Sequence, residues 1–249
     1  VRLPIQQRRR DRAEGRNTGG YVSGYRGSPL GRYDMELWRA KAELDAHGVV
    51  FHPGVNEDLA ATAVWGAQSV GLFPGARVEG VFSIWYGKAP GLDRSMDPIR
   101  HASFQGANPK GGALLMVGDD HGAQSSTQAA YSDFNFVSAG IPVLAPASPQ
   151  EILDFGLHGI AMSRHSGCYV GLKLDTDVVE GGATLRVGPD WPRIVTPPGG
   201  GDHVVAPCSR IRSAPISTMR RTARGSWARP SAARPTAPAR RSRPSPTSA

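Results

Sequence analysis

Cysteine is almost missing, with only Cys168 and Cys208 in the chain. Two thiols cannot build a disulfide framework, nor the four-ligand set of a zinc ribbon or an iron–sulfur cluster. Long hydrophobic runs are missing as well. No apolar stretch of about eighteen residues occurs, so no membrane span is expected, and the opening VRLPIQQRRRDRAEGR lacks the apolar core of a secretion signal. A cytoplasmic location is the expectation that follows. Acidic residues stop at Asp202, while ten Arg fall between Arg210 and Arg243. The net charge of +8 therefore belongs to the tail, because without those ten the 21 acidic residues outnumber the basic ones by two. Specific nucleic-acid binding has no basis in the remainder.

What is present is enough for a core: 39% of the 249 residues are hydrophobic. GYVSGY (20–25) is a short apolar run that ends in the glycine-rich turn RGSPLG, as a strand running into a loop does. The spacing of Leu37, Ala40 and Leu44 predicts a helix over 33–47, stopped at Gly48 by a left-handed cap. VVFHPG (49–54) reads as a second strand and VEGVFSIWYG (78–87) as a third, opening into the loop KAPGLDRSMD. GGALLMVG (111–118) is a nearly continuous apolar run, which fits a strand covered on both faces of a parallel sheet. A helix is predicted over 127–139, a fifth strand over 141–146 and a sixth over 168–174. Between the last two, Ser148-Pro149-Gln150-Glu151 is a capping box that starts another helix.

Strands alternating with helices at this rhythm give an α/β fold, a doubly wound and mainly parallel sheet of about six strands, whose ligands bind outside the carboxyl ends of the strands. Residues 1–19 read as an N-terminal extension, 20–187 as the domain and 188–249 as a linker and tail. With no initiator Met, the chain reads as a piece of something longer. Residues 203–249, rich in Arg, Pro, Ala and Ser, offer too little hydrophobic area to offset chain ordering and are expected to be disordered. A solvated tail, a nucleic-acid-binding arm and a shifted reading frame near Gly200 all account for that composition. The last is preferred, because every acid and every Lys vanishes at once.

The stretch GVNEDLAATAVWGAQ (54–68) organises the rest. Asn56 is a good N-cap, and the carboxylates of Glu57 and Asp58 suit the positive end of a helix dipole. Ala60, Ala61, Val64 and Ala67 recur at helical spacing, so the inward face is made of small residues. Two readings stand at this point. Either this is an ordinary capped helix packed tightly on the sheet, or one carboxylate sits in an apolar site where it shares or donates a proton. Other signals fail. Gly87-Lys88 is followed by Ala and lacks the upstream glycine of a phosphate loop, GYRGSPLG has the wrong glycine spacing for a dinucleotide site, and GxSxG is absent. Asp119, Asp120 and His121 are adjacent on an extended segment, so they point to alternating faces and cannot share one ion. No metal site is expected.

Five motifs in order, GYRGSPLG, PGVNEDLAATAVWG, WYGKAPGLDRS, GGALLMVGDDHGAQSST and GLHGIAMSRHSGCYVGLK, closely resemble the N-terminal thiamine-diphosphate-binding part of bacterial indolepyruvate ferredoxin oxidoreductases, over about three quarters of the chain. The resemblance implies the pyrimidine-binding member of a pair of thiamine domains. It casts Glu57 as the catalytic and cofactor-binding carboxyl that meets N1′ of the aminopyrimidine. Ser28, Asp120, His121, Ser125 and Ser126 are then substrate-binding, and Gly87 and Lys88 line the cofactor. It further implies oxidative decarboxylation of indolepyruvate or a related aryl 2-oxoacid to an acyl-CoA, with coenzyme A and ferredoxin as partners. The Mg2+ and pyrophosphate motif would be on a second, absent thiamine-binding domain, and [4Fe-4S] clusters on absent regions. The full protein is expected to be a homo-oligomer, and this chain inactive alone. The alternative is a non-catalytic α/β binding or assembly module in which Glu57 merely starts a helix.

Overall fold

The computed structural model describes residues 1–124, 126–188 and 190–199; the tail expectations of the preceding section lie outside them. In chain order the elements are α1 (Arg2–Ala13), β1 (Thr18–Gly24), α2 (Gly31–Arg39), α3 (Lys41–Ala46), β2 (Val49–Phe51), α4 (Glu57–Ala67) and β3 (Gly80–Lys88). There follow α5 (Ala89–Arg94), α6 (Met96–Gln105), β4 (Ala113–Asp119), α7 (Asp133–Ala139), β5 (Val143–Leu144), α8 (Pro149–Ser166), β6 (Val170–Asp175) and α9 (Thr176–Val179). The strands form one six-stranded sheet in the order β2-β1-β3-β4-β6-β5, and every pairing is parallel. The α/β expectation holds, and no helix among the described residues is long and apolar enough to cross a membrane.

β4 shows why its sequence is apolar throughout. Leu114 and Met116 enter a core with Leu37, Leu153, Leu157 and Leu172, whereas Ala113, Leu115 and Val117 enter a second core on the other face with Ala60, Val64, Leu92 and Phe136. Alternate side chains point to opposite faces, so a strand covered on both sides has no polar position to spare. The centre is held at close quarters by small residues. A Cβ on Gly24 of β1 would lie 2.1 Å from the Tyr86 carbonyl oxygen of β3, so only glycine fits there.

Three segments depart from the sequence reading. The helix expected over 33–47 is two helices, broken at Ala40 (φ −90°, ψ 11°), and no side-chain cap accounts for the break. Gly48 does adopt the left-handed conformation, with φ +69°. KAPGLDRSMD is no loop. It contains α5 and the start of α6, because Pro90 sits in the first turn, where its missing N–H is of no consequence. The helix placed over 127–139 is shorter, beginning at Asp133.

The basic opening segment is itself a helix fastened to the body. Leu3 and Ile5 are buried, and Leu3 presses on Gly156 of α8, where an added Cβ would come within 2.6 Å of it. Along the same helix Asp11 is buried and meets Arg164 of α8 through two bonds, Nη1 to Oδ1 at 2.7 Å and Nη2 to Oδ2 at 2.8 Å. Gln7 and the Thr18 hydroxyl also donate to its carboxylate. Burial alone would raise the Asp11 carboxyl, but the Arg164, Thr18 and Gln7 donors outweigh it and hold the group below the usual carboxylate range.

A carboxyl depressed in the folded state stabilises above its ordinary pKa and ceases to do so as pH falls through its folded value. Asp11→Asn should therefore cost about 3–5 kcal/mol in denaturant unfolding at neutral pH, since it leaves the Arg164 charge buried without its partner. Below about pH 4 the wild-type advantage should shrink. An Asn variant as stable as wild type at pH 7 would contradict this.

Candidate functional site

All strands run the same way, so the loops after β1, β2, β3 and β4 meet on one rim of the sheet. After β2, the chain turns through Gly54, whose amide donates to the Gly24 carbonyl of β1 at 2.9 Å, and starts α4 at Asn56. The Asn56 side chain accepts from the Leu59 amide at 2.9 Å, as the N-cap reading requires. The helix start is also tied to β3, because the Trp85 indole N–H donates to the Glu57 backbone carbonyl at 3.2 Å.

The two carboxylates at this helix start part company. Asp58 is partly exposed and pairs with Arg94 of α5 at 3.1 Å, with the Ser95 hydroxyl at 3.3 Å. Glu57 is 9% exposed and its carboxylate makes no hydrogen bond or ion pair among the described residues. Its side chain lies against Gly91 of α5, where an added Cβ would fall 2.7 Å from Glu57 Cγ and 2.9 Å from Oε1. Gly91 thus makes the space that the carboxylate occupies. The side chain is nearly buried, while its carboxylate oxygens stay open to the rim.

The small-residue face of α4 is occupied within the domain. Ala60, Ala61 and Val64 are indeed turned inward, but they are packed with Trp85, Leu92 and Ile99 of this same chain, and Ala60 is fully buried. Small side chains there let α4 approach the sheet and α5; they do not leave a surface for a ring. Glu57 stands at the end of that face, with Val55 and Leu59, 82% and 54% exposed, two residues to either side.

Gly87 and Lys88 adjoin Glu57 through Trp85, whose indole covers Gly87 so closely that an added Cβ would lie 2.7 Å from it. Lys88 is half-buried, its stem lies 3.1 Å from where a Gly27 Cβ would be, and its ammonium has no ion-pair partner among the described residues. Ser28, half-buried in the same β1 loop, is followed by Pro29, which packs on Gly118 of β4. Ser28 thus follows the glycine that meets the Lys88 stem, and Gly87 reaches the Glu57 backbone through Trp85, so the four residues stand on loops of the same rim.

The other assigned residues belong to a second group. Asp120 is buried and its two carboxylate oxygens accept the backbone amides of Gln124 and Ser126 at 2.9 and 3.0 Å. Its visible work is to close its own loop. Ser126 enters that contact through its amide, and Ser125 lies outside the described residues. His121 is exposed, and its Nε2 is 2.7 Å from Asp175 Oδ1 of β6, with the Tyr131 ring 4.8 Å away. Asp119 is wholly buried, and its Oδ2 accepts the Ser132 amide and hydroxyl, both at 3.0 Å. Burial raises the Asp119 carboxyl despite these donors and nearby Lys173. Sequence reasoning missed Trp85, Gly91 and Asp175. Gly91 sits in a quoted motif, but its role depends on a helix read as a loop.

No family model matches the chain. Over 141 residues, 57% of its length, the chain is 27% identical to the indolepyruvate oxidoreductase subunit IorA of Methanothermobacter thermautotrophicus, of which the match covers 21%. The chain spans about a fifth of the length of that curated relative. A solved structure, a 2-oxoglutarate:ferredoxin oxidoreductase from Magnetococcus marinus with 2-oxoglutarate, coenzyme A and succinyl-CoA bound, is similar at a TM-score of 0.48 and 14% identity, covering 71% of this chain and 29% of that one.

Asp120→Ala should release the Gln124 and Ser126 amides, speeding their hydrogen exchange and costing about 1–3 kcal/mol, while β4 amides stay protected. Unchanged exchange at both amides would show that the Asp120 carboxylate does not close this loop.

Proposed function

We propose that this chain supplies the aminopyrimidine-side half of a thiamine diphosphate site in a ferredoxin-linked oxidoreductase of 2-oxoacids, with indolepyruvate or a related aryl 2-oxoacid as substrate. One observation carries the reading: Glu57, only 9% exposed, opens its carboxylate to the strand-end rim, where it has no partner among the described residues. A group so placed calls for a donor or a proton-sharing base from elsewhere, and a ring nitrogen suits it. The exposed Val55 and Leu59 beside it favour an arrangement in which a second domain closes over this rim. The similarity to an indolepyruvate oxidoreductase subunit supports the substrate class.

The chemistry that thiamine diphosphate supplies when bound is an acidic carbon able to add to a keto carbon and to hold the electrons left when carbon dioxide departs. The chain's own residues do simpler things. Glu57 Oε holds a proton in common with a basic ring nitrogen, which is general acid–base catalysis by a fixed carboxyl. Trp85, wholly buried and bonded to the Glu57 carbonyl, keeps water from the inner side and fixes the helix start. The Lys88 ammonium offers a charge to an anionic group such as a carboxylate, and the Ser28 hydroxyl offers a donor on the same loop. Asp120, His121, Ser125 and Ser126 lie toward the substrate in this reading, and Asp120 also closes the loop that follows it.

The remaining parts belong to the rest of the proposed enzyme. A second thiamine-binding domain would hold Mg2+ and the pyrophosphate, [4Fe-4S] clusters on absent regions would supply electron transfer to ferredoxin, and coenzyme A would be the acyl acceptor. The complete protein is a cytoplasmic homo-oligomer in this proposal. A non-catalytic α/β assembly module is the second reading, and it is favoured by the small face of α4 being filled by its own sheet.

Glu57→Gln in the complete enzyme separates the two. Turnover of indolepyruvate with coenzyme A, read as reduced ferredoxin, should fall by about 10²–10⁴-fold with the melting temperature unchanged. The 249-residue chain alone should give none. Full activity in the Gln variant would favour the assembly module.

A further inference from the structure

Asp119, Asp120 and His121 alternate in direction, so these three neighbours cannot share one ion. The fold replaces the middle one. Asp119 and His121 are two residues apart and so share a face, whereas Asp120 turns away into its own loop. The parallel pairing of β4 with β6 then places Asp175 directly beside Asp119 in register. One ligand atom each from Asp119, His121 and Asp175 lies within 4.8 Å of the other two.

Two independent features point to a cation here. The first is an orphaned atom: Asp119 is fully buried, Ser132 satisfies its Oδ2, and its Oδ1 has no hydrogen-bond partner. The second is charge. Asp119, Asp133 and Asp175 gather around a single Lys173, whose ammonium sits 2.8 Å from Asp133 and 3.9 Å from Asp119. Two carboxylates remain in excess of one ammonium.

We propose that Asp119, His121 and Asp175 form a binding site for a first-row transition dication of the Zn2+ type. Two carboxylate oxygens and one imidazole nitrogen are a donor set that such ions accept, with water in the remaining position. Ligand bonds of about 2.0–2.2 Å set the ligand atoms of a tetrahedral ion about 3.3–3.5 Å apart. His121 and Asp175, both at the surface, open slightly from their 2.7 Å contact while buried Asp119 stays in place. The ion would tie the end of β4 to the end of β6 and fix the start of the 120–130 loop. The site shares His121 with the substrate side of the thiamine reading but does not rest on that reading, and its test reads metal binding rather than turnover.

The test is calorimetric titration of the 249-residue chain with Zn2+ in metal-free buffer, repeated for His121→Gln and Asp175→Asn. Saturable binding of one ion is expected, weakened about 10²-fold or more in each variant, since a direct ligand should matter at least as much as an outer-shell partner, worth about 10–100-fold. Exposed His121 tolerates Gln without loss of the fold, so that variant reads out even should Asp175→Asn unfold. Visible absorption of the Co2+ form should change in His121→Gln. No saturable Zn2+ binding, or equal affinity in wild type and His121→Gln, overturns the site.

Discussion

Six strands that all run in one direction put every carboxyl end, and the loop that follows it, on a single rim. That constraint depends on close approach at the centre, where Gly24 of β1 lies against the Tyr86 carbonyl and Gly118 of β4 against Pro29. Larger residues at those points would push the β1 loop off the ends of β3 and β4. With the loops held down, the rim presents a carboxyl, an ammonium and a hydroxyl near β1 to β3, and a His–Asp set where β4 meets β6.

The contrast between Glu57 and Asp58 gives that rim its chemical direction. Both stand in the first turn of α4 and both gain from its dipole. Asp58 faces outward and satisfies itself with Arg94 and Ser95, while Glu57 turns inward against Gly91 and its carboxylate has no donor among the described residues. A chain of this length easily provides a second Arg or Ser when stability alone is at issue. The buried, unpaired member of the pair is where a ligand or another domain would be felt.

Much of this was legible in the residues. The N-cap at Asn56, the start of α4, the doubly covered strand at 113–119 and the capping box at Ser148 all follow from local rules, and local rules act within a few residues. What was not legible involves partners far apart in sequence. The small face of α4 announced a close neighbour without saying which, and the neighbour is the sheet itself. Asp175 could not be placed beside Asp119 before the register of β4 and β6 was known. Asp120 was singled out by resemblance alone, and its hold on the amides four and six residues on became visible only with the loop folded. The first helix showed the reverse case: its apolar residues were few, but Asp11 on it meets Arg164 across the whole domain.

The central claim is that the Glu57 carboxyl is completed by a nitrogen base from outside this chain. A crystal structure of the complete enzyme with thiamine diphosphate tests it most directly. The account predicts a Glu57 carboxylate oxygen about 2.6–3.0 Å from a ring nitrogen of the aminopyrimidine, at the seam with a second domain. A Glu57 side chain facing bulk water, or bonded only to groups of its own chain while the cofactor lies elsewhere, would contradict it.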